Sequence, residues 1–323
     1  MKRREFLTLA AGGAAAWPLA GYAQQATMPR VGWLWSGRSE GKPSELTGFK
    51  QGLRDLGYVE GQNIVVDYRF GENSVERLTA LAEDLARLKP DIILALGTPA
   101  IRVARRAVPD RPIVFLSGDP IGSGLIASLN RSGGHLTGLS MMLLSEKWPD
   151  LTREMLPAVT RIGYLWNPAE VRSASSFSQA RHSAEKLGMN FGSYPIERPG
   201  DLAAAFAKMK KDDIGMLLLD PAHPYPTNWP VVAELALIHR IPSLSEVRDF
   251  VVAGGLMSYG ASVLDITRRM AHYMDRIIKG ASPAEMPVEQ PTRFELALNL
   301  KTAKALDIAV PPSLLARTDE VIE

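Results

Sequence analysis

The sequence predicts an α/β protein of two doubly wound parallel-sheet lobes joined by a hinge. Three observations carry this. Short apolar runs of strand length alternate with amphipathic helical segments, the pattern of a parallel sheet covered on both faces. The pattern restarts half-way: Arg161-Ile162-Gly163-Tyr164-Leu165-Trp166 repeats the order of Arg30-Val31-Gly32-Trp33-Leu34-Trp35, with a basic residue, a β-branched one, glycine, an aromatic, leucine and tryptophan. The chain is also 323 residues long, beyond the roughly 250–300 at which a single core stops growing.

The first half reads as follows. Residues 31–35 form a buried-strand run. Residues 44–56 read as a helix, with Leu46, Phe49, Leu53 and Leu56 at three- and four-residue spacing and Gly57 ending it. A second strand covers 64–68. Ser74 caps a helix reaching Leu88, with Leu78, Leu81 and Leu85 on one face. Residues 91–96 are a third strand, after which Thr98 is expected to cap the next helix with Pro99 at its first position. A fourth strand covers 112–116.

In the second half, 161–166 begins a strand and a helix over about 173–187 follows. A strand near 190–194, a helix from about 199 to 211 and a strand over 213–219 come next. A helix from about 228 to 239 then leads to a short strand at 241–244. Residues 139–145 and 254–260 are the expected crossings between the lobes. A helix carrying Met270, Tyr273, Met274 and Ile277 ends at Gly280, 283–291 is a proline-marked connector, and 293–299 alternates like a strand. The lobes are therefore expected to comprise 28–142 with about 258–282, and 143–257 with about 283–323.

Composition narrows the function. There is no cysteine, which removes thiolate metal sites, cysteine nucleophiles, disulfides and a lipid anchor on an N-terminal cysteine. The formal charge is only +2, which makes no case for nucleic acid. Residues 1–23 have the form of an export signal: Lys2-Arg3-Arg4, an uncharged stretch from Phe6 to Leu19, and Gly21-Tyr22-Ala23 as the cleavage pattern. The stretch is too short to span a bilayer. Arg3-Arg4-Glu5-Phe6-Leu7 fits the core of a twin-arginine signal, although Lys2 and Thr8 depart from its usual flanks, so both export routes stay open. Removing the signal takes Lys2, Arg3, Arg4 and Glu5 with it and leaves a formally neutral chain. The expected product is a periplasmic monomer without stable membrane insertion.

Ligands of open parallel sheets bind beyond the carboxyl ends of the strands. There the sequence places Ser36, Thr98 and Pro99, Asp119 and Pro120, Asn167, Asp220 and Glu246. Helix N-termini suit an anion, and Asp119, Asp220 or Glu246 suits an amine or a hydroxyl. Trp35 and Trp166, nearest the strand ends, are placed to stack on a ligand. Gly37-Arg38-Ser39-Glu40-Gly41 spells the nucleophile-elbow motif of a serine hydrolase, but Ser39 lies four residues past its strand rather than on the sharp turn the elbow requires. An exported α/β serine hydrolase using Ser39 is thus the alternative reading. His135, His182, His223, His239 and His272 have no metal-ligand spacing, and neither metal nor cofactor is expected.

Gly57-Tyr58-Val59-Glu60-Gly61-Gln62-Asn63, Gly118-Asp119-Pro120, Leu129-Asn130-Arg131-Ser132-Gly133-Gly134, Asn167-Pro168, Gly254-Gly255-Leu256-Met257-Ser258-Tyr259-Gly260 and Asn299-Leu300-Lys301-Thr302-Ala303-Lys304-Ala305-Leu306 follow one another along the chain. In this order they resemble the ABC-transporter substrate-binding family related to the tryptophan/tyrosine-type periplasmic binding proteins. The resemblance runs from about Met28 to Glu323. It implies a type I periplasmic-binding fold, no catalysis, a membrane permease as partner and a small ligand such as an aromatic amino acid or related carboxylate. It also implies Thr98, Asp119, Asn167, Asp220, Glu246 and Tyr259 as ligand-contacting positions. Many relatives carry Asn-Pro-x-Asn-Pro where this chain has Asn167-Pro168-Ala169-Glu170-Val171, a change that bears on the ligand rather than the fold.

Overall fold

The computed structural model describes residues 28–37, 44–72, 74–141, 144–220 and 229–323. The expected export signal and Ser39 lie outside the described residues. In the first lobe, β1 (Arg30–Trp35), β2 (Val65–Phe70), β3 (Ile92–Leu96), β4 (Ile113–Ser117) and β5 (Leu136–Ser140) form a sheet of order β2-β1-β3-β4-β5. Every neighbouring pair is parallel. In the second lobe, β6 (Arg161–Trp166), β7 (Asn190–Pro195), β8 (Met216–Leu219), β9 (Ser243–Ser245) and β10 (Met257–Ala261) repeat that order as β7-β6-β8-β9-β10. The repeated hexapeptides occupy the equivalent strands β1 and β6, as a duplicated unit requires. Two further strands, β11 (Phe294–Asn299) and β12 (Glu320–Ile322), extend the second sheet, and β10–β11 is antiparallel.

Parallel strands are long apolar runs because both faces are covered. All five residues of β3 and of β4 are buried. On one face of the first sheet, Val31, Trp33 and Leu94 pack with Phe49 and Leu53 of α1 (Ser44–Asp55). On the other, Leu34, Ile93 and Phe115 pack with α2 (Val75–Arg87) and α3 (Thr98–Ala107). Each such large side chain contributes about 1.5–3 kcal/mol when buried. The second sheet is sandwiched likewise. Trp148 of α4 (Trp148–Met155) and Ala180 of α5 (Val171–Lys186) pack on Tyr164 and Leu218. Phe206 of α6 (Leu202–Lys211), Val232 of α7 (Trp229–Ile238) and Phe250 of α8 (Arg248–Val252) cover Leu165 and Leu217.

Local signals set the element ends. Ser74 caps α2 as expected, its Oγ accepting the Arg77 N–H at 3.1 Å. Thr98 does not cap α3. Gly97 holds that position with φ +88°, and Thr98 and Pro99 are the first helical residues. A left-handed cap between a buried strand and a helix favours glycine over threonine, which explains the displacement.

After β10 the chain returns to the first lobe as α9 (Val263–Ile278), where Met270, Tyr273 and Met274 join the Trp33 core. The segment 283–289 stays there as well. Met286 and Val288 are buried in the two first-lobe cores, Thr137 Oγ1 donates to Met286 O at 3.0 Å, and Ser140 N donates to Glu289 O at 2.8 Å. Residues 283–289 thus pack on the first lobe, because the alternate apolar residues behind Pro283 have its cores to enter. Residues 139–140, expected as part of the crossing, complete β5. Among the described residues the lobes are then linked by β10 with the residues after it and by 290–293.

The seating of α9 depends on close approach to α1. A Cβ at Gly48 would stand 2.2 Å from Thr267 Oγ1 and 2.3 Å from Leu264 O, and one at Gly52 would stand 2.5 Å from Arg268 O. Helix propensity favours alanine over glycine by about 1 kcal/mol, whereas overpacking costs about 1–3 kcal/mol. Gly48→Ala is therefore expected to lower stability in urea denaturation. A rise in stability would show that the helices do not meet this closely.

Candidate functional site

Strand order fixes where polar groups gather. Carboxyl ends of β1, β3 and β4 in one lobe, and of β6, β8 and β9 in the other, carry nearly all the expected site residues. On the first lobe Ser36 Oγ donates to Leu96 O at 3.2 Å, and Thr98 Oγ1 lies 3.4 Å from Ser117 Oγ. Pro99 opens α3. Asp119 Oδ1 accepts the Gly122 N–H at 2.8 Å, which holds the turn containing Pro120. These groups shape the loop ends as much as they offer themselves to a ligand.

The second lobe holds the denser cluster. Asp220, at the end of β8, is fully buried, and Glu246, after β9, is nearly so. Arg172, in the first turn of α5, places its guanidinium 2.5 Å from Glu246 Oε1 and 3.7 Å from Asp220 Oδ2. Tyr164 Oη donates to Asp220 Oδ2 at 3.4 Å. Asn167, after β6, takes a different part: its N–H donates to Ser173 Oγ and its Oδ1 accepts from Ala169 N, both at 3.0 Å, which fixes the loop that delivers Arg172.

The electrostatics follow from burial. Burial pushes the Glu246 carboxyl above its ordinary range, with Arg172 pulling it back and Asp220 adding to the rise. Burial works against the Arg172 charge too, but Glu246 and then Asp220 outweigh it and hold the guanidinium protonated. Burial and the neighbouring Asp220 keep the Tyr164 phenol neutral.

Arg172 was not among the residues expected at the site. Its signal is a local misfit. Cations are disfavoured in the first turn of a helix, α5 has no acidic residue there, and its cap residue Glu170 makes no side-chain capping bond. A basic residue placed against the helix dipole beyond a strand end has to be stabilised by other groups, here Glu246 and Asp220.

Across the cleft the Arg172 stem lies on Gly118 of the first lobe, where a Cβ would fall 2.1 Å from Arg172 Cδ. A second contact joins the lobes at α1 and α8, where Ser44 Oγ donates to Asp249 Oδ1 at 3.0 Å. The lobes thus touch at the strand ends themselves. Trp166 stacks on Phe177 with ring centroids 4.4 Å apart and donates Nε1–H to Ser193 Oγ at 2.9 Å, and Trp35 packs edge-on against Phe70. Both tryptophans are engaged within their own lobes.

Tyr259 lies on β10 with its ring 6.4 Å from that of Phe294. It helps line a depression of about 370 Å3 bounded by Lys147, Asp150, Leu151, Glu154, Leu296, Arg317 and Asp319. Another depression, of about 480 Å3, is lined by Arg161, Tyr194 and Asp212 beside β7. Among the described residues no group of His, Asp and Glu is arranged to hold a metal ion, and no helix is long and apolar enough to cross a membrane.

Two outcomes follow for the lobe contact. Gly118→Val removes the seat of Arg172 and is expected to open the lobes, raising the radius of gyration in small-angle scattering; an unchanged radius would mean that the contact does not hold them. Glu45 sits beside Ser44, and burial first, then Asp249 of the other lobe, push its carboxyl up to about 7, against a lowering hydrogen bond to its own backbone. A raised carboxyl binds its proton more tightly in the folded chain. Its contribution to stability is complete below about 4.5 and is lost as pH rises through about 7. Glu45→Gln should therefore lose less melting temperature than the wild type between pH 4.5 and 7, and an equal loss in both would contradict the assignment.

Comparison with known proteins agrees with this fold. A curated relative, the tyrosine-binding protein of Clostridioides difficile, is 26% identical over 262 residues, covering 81% of this chain and 76% of its own length. A Streptococcus pneumoniae structure, described as an ABC domain in complex with L-Trp, superposes with a TM-score of 0.83 at 24% identity, over 91% of this chain and 99% of that one. The ligand-free, open structure of a substrate binding protein with adhesive properties from Clostridium difficile gives 0.71 at 23% identity over the same shares. The model of the family described as ABC transporter substrate binding protein matches residues 39–322, over most of the chain. Its members bind substrates rather than transform them, so the hydrolase alternative at Ser39 finds no support. The chain belongs to the ABC transporter substrate binding protein family.

Proposed function

We propose that the protein is an exported periplasmic receptor that captures a small amino acid, aromatic or otherwise carboxylate-bearing, and delivers it to the permease of an ABC importer. The observation that carries the reading is the buried cluster of Arg172, Asp220 and Glu246 at the strand ends, facing Gly118 across the cleft. Ser36, Thr98, Pro99, Asp119 and Pro120 supply the first-lobe wall. Asn167, Asp220 and Glu246 supply the second, and Tyr259 stands on the strand that joins the lobes. Such a ligand adds contacts to both walls at once, so it favours the closed form by its differential affinity, and no bond is broken. The relatives that carry tyrosine or L-Trp in their descriptions support the choice of amino acid. Residues 1–23 would direct export, and the chain would then work as a free monomer.

The test is calorimetric titration of the purified protein against the twenty common amino acids, with native mass spectrometry of the protein as isolated. Binding of one or more amino acids at micromolar strength, weakened in Asp220→Asn and in Glu246→Gln, is the expected result. Absence of any heat or melting shift across the panel would overturn the reading.

A further inference from the structure

The Arg172–Glu246 pair occupies the middle of the cleft's charged wall, and its position says what kind of ligand can enter. The two groups are 2.5 Å apart, with Glu246 nearly buried and Arg172 about four-fifths so. They come from separate elements, α5 and the end of β9, and the Arg172 stem rests on the opposite lobe at Gly118. The space between this wall and Gly118 is filled by the Arg172 stem, so a ligand taking that place has to move it.

Separating a buried ion pair leaves each member uncompensated unless something replaces it. A simple amine replaces only the cation at Glu246 and leaves Arg172 with the more distant Asp220 alone, 3.7 Å away. A simple acid replaces only the anion and leaves Glu246 without its cation. A molecule carrying an ammonium and a carboxylate on adjacent atoms replaces both, turning one internal pair into two external ones with no net charge added. We propose that the Arg172–Glu246 pair is a charge filter split by zwitterions, Arg172 taking the ligand carboxylate and Glu246, with Asp220 beside it, the ligand ammonium. This deepens the amino-acid reading above and rests on it. Arg172 thereby becomes a specificity-determining residue, and Gly118 the position that lets it reach across the cleft.

Calorimetric titration with matched sets of ligands tests the filter. Each set holds one side chain constant: L-tyrosine, tyramine and hydroxyphenylpropionate; L-tryptophan, tryptamine and indolepropionate; L-leucine, isoamylamine and isocaproate. The wild type should bind the amino acid of a responsive set about a hundredfold more tightly than its amine or its acid. In Arg172→Met the disadvantage of the amine should shrink by about tenfold or more, and in Glu246→Gln that of the acid should shrink likewise, because one member of the pair no longer needs replacing. A residue that merely holds the fold together would weaken all three members alike. The double variant R172M/E246Q removes both charges, guards against misfolding of the single ones, and should show almost no discrimination within a set. An amine or acid bound within tenfold of its amino acid by the wild type, or single variants that shift all three members equally, would overturn the filter and leave the receptor reading standing. If none of the twenty common amino acids binds the wild type, the amino-acid reading falls and the filter with it; if one outside these sets binds, its own amine and acid form the set.

Discussion

A guanidinium enclosed between two lobes is the constraint on which the arrangement of this protein turns. Arg172 leaves the first turn of α5, meets Glu246 and Asp220 in its own lobe, and lays its stem on Gly118 of the other. Each part has a physical requirement. The two carboxylates cannot both stay ionised in a buried site without a cation. The cation cannot sit at a helix N-terminus without carboxylates. The first-lobe loop cannot close over the stem if it carries a side chain. The elements that deliver these residues are those of the parallel sheets, whose strands all end at the cleft, so the fold brings the charges together as a consequence of topology.

The return of α9 to the first lobe matters for the same reason. The chain enters the second lobe, builds it, and comes back through β10 to seat α9 on α1, where Gly48 and Gly52 allow close approach. With 290–293 this makes two links between the bodies among the described residues. Links of this kind favour hinge motion, which would turn ligand contacts on two walls into closure. The Ser44–Asp249 contact at the cleft edge shows the lobes meeting away from the links as well.

Most of the fold was legible in the residues. The alternation of apolar runs and helices, and the hexapeptide repeated at Arg30 and Arg161, led to two equivalent parallel sheets, and β2-β1-β3-β4-β5 matches β7-β6-β8-β9-β10. The carboxylates at the strand ends were legible too, since Asp220 directly follows the apolar run of β8 and Glu246 directly follows the short strand β9. What escaped were features decided by tertiary contact. Residues 283–289 carry no strand or helix period of their own, and only the first-lobe cores they enter reveal where Met286 and Val288 belong. Thr98 looked like a cap by residue type, but the backbone of Gly97 took the position. Arg172 went unnoticed, because the pairing that sets it apart lies 74 residues further on, at Glu246. Trp35 and Trp166 looked available for stacking until Phe70 and Phe177 were found against them.

The central claim is that ligand binds between Arg172 and Glu246. The most direct measurement is a crystal structure of the protein with a bound amino acid, either carried through purification or added to saturation. The account predicts density at the carboxyl ends of β6, β8 and β9, with the ligand carboxylate on Arg172, its ammonium on Glu246 and Asp220, and Gly118 facing it from the other lobe. Density in the depression beside Tyr259 and Phe294, with the Arg172–Glu246 pair intact, would contradict it.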